Sequence, residues 1–115
     1  MRLPCVAVSS AAPDDDCELC AAQRITEWFH ADDDCWVALC VMCATPMIVW
    51  RTHDPAPPPA VKAMLHGRLA AVFSATFEGR HWIDDDLRSI PGHYHAHARP
   101  VGAFFGHGLR RRDRP

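Results

Sequence analysis

Lysine is almost absent from this chain: of twelve basic residues, eleven are arginine and one is Lys62. Neither sign of charge dominates, since fourteen acids leave a formal charge of −2 over 115 residues. A chain so balanced, with no lysine-arginine stripe and interleaved aromatics in its core region, carries no footprint of a nucleic-acid or anionic-membrane binder. Arginine favours planar, bidentate partners such as phosphate or carboxylate. No apolar run reaches the length of a membrane span. The opening residues MRLPCVAVSSAAPDDD hold an apolar patch too short and broken for a secretory h-region, so a cytoplasmic location is expected. In that compartment cysteines are read as metal ligands or buried thiols before disulfides.

The length suits one small domain, which would profit from a staple. Residues 1–16 read as a disordered lead-in of Pro, Ser, Ala and Asp, and 109–115 as a frayed basic tail. Residues 17–108 between them form the expected domain. Gln23 to His30, Cys35 to Leu39 and Pro46 to Arg51 are rich in β-branched and aromatic residues and read as an antiparallel meander. After the proline-rich connector His53 to Ala60, Pro59 suits a first helical turn. Val61, Met64, Leu65, Leu69, Val72, Thr76 and Phe77 then keep a 3.6-residue period, which predicts one amphipathic helix over 59–77. The fold class expected is α+β. The Asp runs at 14–16, 32–34 and 84–86 read as solvated turns and caps. Trp28, Trp36, Trp50 and Trp82 read as core.

Two features carry chemistry. The first is the pair of C-x2-C sequences, Cys17/Cys20 and Cys40/Cys43, with 19 residues between them. This spacing matches a four-cysteine structural zinc site, in which two tight turns bring four thiolates to one ion. Cys17, Cys20, His53 and His93 make a second chemically sound set. Cys17 and Cys20 belong to both. Cys5 and Cys35 fall outside the pattern.

The second is His93-Tyr94-His95-Ala96-His97-Ala98-Arg99-Pro100. In a strand, alternate side chains share a face, so three imidazoles line up about 7 Å apart while Tyr94, Ala96 and Ala98 pack behind them. Imidazole is a nucleophile, a proton carrier near neutral pH and the commonest metal ligand. If the alternation continues, Arg99 joins the histidine face.

This pattern resembles the histidine triad (HIT) superfamily, whose signature is His-φ-His-φ-His-φ-φ with φ apolar; Arg99 stands at the last φ. Phe29 to Ala38 resembles the family's first hairpin, and Pro46 to His53 the strand that ends at a basic residue and a His. The likeness spans about residues 17–100. It departs at the extra pair Cys40/Cys43 and at Ile83 to Gly92, which replaces the family's Asn- and Gly-containing approach. The resemblance implies a nucleotide phosphoryl or nucleotidyl hydrolase or transferase on a zinc-stabilised scaffold. His95 would be the nucleophile, His97 would bind phosphate oxygens or the leaving group, and His93 would order the strand end or ligate zinc. Arg99 and Arg88 are the candidates for charge on the phosphoryl group. Some members hold zinc on residues that correspond by position to Cys17, Cys20, His53 and His93. The partner expected is a small phosphate-containing ligand such as a nucleotide; a homodimer stays open. The competing reading is a non-catalytic zinc-binding module for protein or nucleic acid.

Overall fold

The computed structural model describes residues 17–88 and 90–112. The expected lead-in, Cys5, the first Asp run and the last three residues of the expected tail lie outside them. The elements run α1 (Glu18–Ala21), β1 (Trp28–Ala31), β2 (Cys35–Leu39), β3 (Pro46–Trp50), α2 (Pro59–Thr76), β4 (His81–Asp84) and β5 (His95–Pro100). The five strands make one antiparallel sheet in the order β1-β2-β3-β5-β4. The first three form the expected meander. The last strand in sequence then enters between β3 and β4. An α+β fold with one main helix is thus what the patterning produces.

Period-two alternation explains how the sheet is buried on both faces. Cys35, Val37, Ile48, Tyr94, Ala96 and Ala98 face α2 and pack on Leu65, Leu69 and Phe73. Full burial of such a side chain stabilises by roughly 1.5–3 kcal/mol. The opposite face carries Trp36, Ala38 and Val49, covered by Cys17 and Leu19 around α1. β5 is placed by register, with Met47 opposite His97 and Val49 opposite His95. The histidines therefore fall on the α1 side, away from the helix.

α2 begins with Pro59 at its first turn. It ends when Phe77 turns extended and pairs with Arg111. That pairing corrects the expected tail: Glu78 N–H donates to the Arg110 carbonyl at 2.8 Å and Arg112 N–H to the Thr76 carbonyl at 2.9 Å. Arg111 also forms an ion pair with Glu27. Residues 109–112 are docked, with Leu109 against the α2-side core.

Other expectations shift. The first strand spans Trp28–Ala31 and not Gln23 to His30, and the histidine strand starts at His95 rather than His93. β4 carries Trp82 at the sheet edge, 42% exposed, so this tryptophan is not core. The Asp32 turn is as expected, its Oδ1 accepting from the Asp34 and Cys35 amides at 2.8 and 2.9 Å. Asp84 is not solvated: it is a buried strand residue.

Candidate metal centre and histidine cavity

The first cluster joins three distant stretches of chain. Cys17 is the N-cap of α1 and Cys20 lies within its single turn. His53 follows β3, and His93 stands just before β5. Cys17 Sγ lies 3.5 Å from His93 Nδ1, and Cys20 Sγ lies 3.2 Å from His53 Nδ1 and 3.4 Å from His93 Nδ1. The two Nδ1 atoms are 3.2 Å apart. His93 Nε2 sits 2.6 Å from the Trp50 carbonyl. A carbonyl only accepts, so Nε2 carries the proton and Nδ1 offers a lone pair to the cluster. This is the outer hydrogen bond that orients a ligating imidazole. Burial pushes the His93 pKa down, outweighing the Trp50 contact and keeping the ring neutral. All four ligand atoms lie within 4.8 Å of one another, and the group could hold a metal ion.

The expected four-cysteine set is not assembled. Cys40 and Cys43 sit with His97 in a separate group whose ligand atoms also lie within 4.8 Å. The reason is topological. Cys40 and Cys43 lie in the β2–β3 turn, beside the far end of β5, while α1 covers the end where His93 stands. Ala44 closes that turn with a φ of 60°, and its N–H donates to the Cys40 carbonyl at 2.9 Å. Gly106 presses against the same turn. Its N–H donates to the Cys43 carbonyl at 2.7 Å, and a Cβ there would come within 2.0 Å of the Ala44 oxygen. Only glycine permits that approach.

Against the second cluster, whose three residues line it, lies a cavity of about 370 Å³. His95, His97, Arg88 and Arg99 line it together with the stacked Trp28 and Trp36, whose ring centroids are 4.6 Å apart. Both tryptophans, expected only as core, thus also wall the cavity. His95 Nδ1 is 2.8 Å from the His93 carbonyl. By the same logic Nδ1–H donates, and Nε2 keeps its lone pair. Burial lowers the His95 pKa, and His97 pushes it the same way against the pull of the His93 carbonyl. The His95 and His97 rings stand nearly perpendicular with centroids 5.7 Å apart.

Arg99 does share the histidine face, but Asp84 claims its guanidinium. Asp84 Oδ2 accepts from Arg99 Nε at 2.6 Å and from Arg88 Nη1 at 2.9 Å. Burial would raise the Asp84 pKa; Arg88 and Arg99 instead hold it down at about 2. The Phe104 ring covers Arg99 at 3.7 Å, and Arg99 Nη1 donates to the Phe104 carbonyl at 2.9 Å. Sequence reasoning missed Asp84 and the 104–105 pair. Comparison with protein-family models, curated proteins and solved structures finds no match.

Proposed function

We propose that this chain is a zinc-stabilised, histidine triad-like phosphoryl or nucleotidyl hydrolase or transferase, with His95 as its nucleophile. The observation that carries the reading is the state of His95: one ring nitrogen is spent on the His93 carbonyl and the other is free for chemistry in a cavity with two arginines. In the reaction, Nε2 attacks phosphorus and the bond to the leaving group breaks, the leaving group taking a proton. Water or an acceptor hydroxyl then attacks phosphorus, the P–N bond breaks, and the neutral imidazole returns. Arg99, Arg88 and His97 line the place where the phosphoryl oxygens gather charge, the role such donors serve best in a water-poor site. The cavity volume lies in the range typical of small-ligand sites.

Zinc is the ion that suits Cys17, Cys20, His53 and His93. Bonds of roughly 2.3 Å to sulfur and 2.0–2.1 Å to nitrogen give tetrahedral edges of about 3.5 Å for S–N and about 3.4 Å for N–N. Cys17–His93, Cys20–His53 and Cys20–His93 are separated by 3.5, 3.2 and 3.4 Å from sulfur to nitrogen, and the two Nδ1 atoms by 3.2 Å. A closed S2N2 set has no open position, so the ion's part is structural: it ties α1 to the start of β5.

The test uses the full chain and an adenosine 5′-phosphoramidate or a dinucleoside polyphosphate. Turnover is expected, with a nucleotidyl adduct trapped on an imidazole and seen by mass spectrometry. His95→Ala should abolish both while keeping zinc and fold. Turnover that persists in His95→Ala overturns the assignment.

One observation favours the non-catalytic alternative. Ile25, Val41, Met42 and Phe105 are 70%, 67%, 80% and 51% exposed, and all border the cavity. An apolar rim of this kind suits a bound protein segment. Saturable nucleotide binding without any turnover would shift the reading to a metal-stabilised binding domain.

A further inference from the structure

We propose that Cys40, Cys43 and His97 form a second metal site, of open coordination, in the wall of the histidine cavity. The ligand atoms of the two cysteines and the histidine converge within 4.8 Å although 53 residues lie between Cys43 and His97 in sequence. The turn is shaped for the purpose. The backbone N–H groups of Met42 and Cys43 point to the Cys40 sulfur, as they must to stabilise a thiolate on a metal. The left-handed Ala44 costs about 1–2 kcal/mol that a relaxed turn would not. Gly106 and the Cys40–Thr45 backbone bond, 2.8 Å from the Cys40 amide to the Thr45 carbonyl, hold that geometry. Thr45 Oγ1 is 3.1 Å from Cys43 Sγ and supplies an outer contact to that sulfur.

His97 is the second, independent observation. It is 8% exposed, and its Nδ1 has no hydrogen-bond partner. A buried polar atom left unsatisfied costs roughly 1–3 kcal/mol, and an imidazole engaged with an ion gives the ring a reason to be there. Cys2His is a donor set for a borderline-soft divalent ion, zinc first. Among the described residues this group has three members, against four in the Cys17 cluster. Three protein ligands leave one position for water or an anionic oxygen, the pattern of catalytic and not structural zinc. All three residues line the cavity that also holds His95 and Arg99. The two ions therefore differ in kind: one closed and structural, one open to ligand. The proposal goes beyond the phosphoryl-transfer reading and gives the phosphoryl-oxygen contact assigned there to His97 to the ion that His97 would hold; it does not need that reading, because metal content is read without substrate.

The experiment counts metal in the full chain, reduced and supplied with Zn²⁺, by native mass spectrometry. Two ions are expected in the wild type and one in Cys43→Ser. One ion in the wild type overturns the proposal. So do two ions in Cys43→Ser, or loss of every ion from a folded Cys40→Ser, which would restore a single four-cysteine site. Should Cys43→Ser fail to fold, Co²⁺ titration of the wild type decides. Two thiolate-to-cobalt absorption increments are expected, and added imidazole or inorganic phosphate should shift the visible bands of one equivalent only. A single increment, or bands indifferent to both additives, refutes an open second site.

Discussion

Replacing Asp84 by asparagine tests the electrostatics beneath the cavity floor. The side chain keeps its size and loses its charge. Arg99, 2% exposed, then keeps a buried guanidinium with no counter-ion. Two routes give the magnitude. Removing one partner of a buried pair costs about 3–5 kcal/mol. The folded-state pKa near 2, against 3.8 for the free group, corresponds to roughly 2 kcal/mol at about 1.4 kcal/mol per tenfold change. Arg88 is 47% exposed and its share is small. A loss of about 2–4 kcal/mol is therefore expected, or roughly 10 °C in melting temperature for a chain of this size. Urea unfolding of zinc-loaded wild type and Asp84→Asn at pH 6 measures it. The sign with pH follows from a depressed carboxylate. Its stabilisation is complete above the unfolded value of 3.8 and is lost as pH falls toward 2. The gap between the two proteins should thus be constant from pH 7 to 5 and narrow below about pH 4. A difference under about 0.5 kcal/mol at pH 6, or one that widens in acid, refutes the argument.

Cys20→Ser should release the ion of the α1 cluster and lower stability by several kcal/mol, because binding energy at such a site is folding energy; metal analysis with thermal melts would show an unchanged curve if the reading is wrong. Tyr94→Phe should cost about 1–2 kcal/mol. Its hydroxyl donates to Asp85 at 2.9 Å and lies 2.6 Å from His66 Nε2, a half-buried link between the residue before β5 and α2. Chemical denaturation that finds this variant as stable as the parent would sink the claim.

What the sequence disclosed is what short-range periodicity encodes. Alternation of His95 and His97 with Tyr94, Ala96 and Ala98 is a local property, and it sorted core from cavity face correctly. The same holds for Leu65 and Leu69 on the helix. Pairing across the chain is not local. A C-x2-C turn has the same spacing whether its second pair of ligands is two cysteines or two histidines, so spacing could not say which groups share an ion. The Asp84–Asp86 run looked solvated because three carboxylates together are expensive to bury; only the tertiary fold brings Arg99 beside the first of them. Trp82 misled for the opposite reason, since an edge strand leaves one face of a large apolar ring uncovered. The docked 109–112 segment is held by backbone bonds to Thr76 and Glu78, which composition does not record.

The insertion of β5 between β3 and β4 has a consequence for how the protein is made. His93 lies 76 residues after Cys17. At about 5–20 residues per second on the ribosome, roughly 4–15 s pass between the synthesis of the first thiols and the arrival of the imidazole that completes their cluster. β5, an interior strand of the sheet, is the last to be made, and until it comes β3 has only β2 beside it and β4 has no partner. Until then the nascent chain exposes the outer edge of β3, an unpaired β4 and two C-x2-C turns without their histidine partners. On the two-ion reading proposed above, maturation becomes a sorting problem, in which the four thiols must be kept from one shared ion until His93 and His97 divide them.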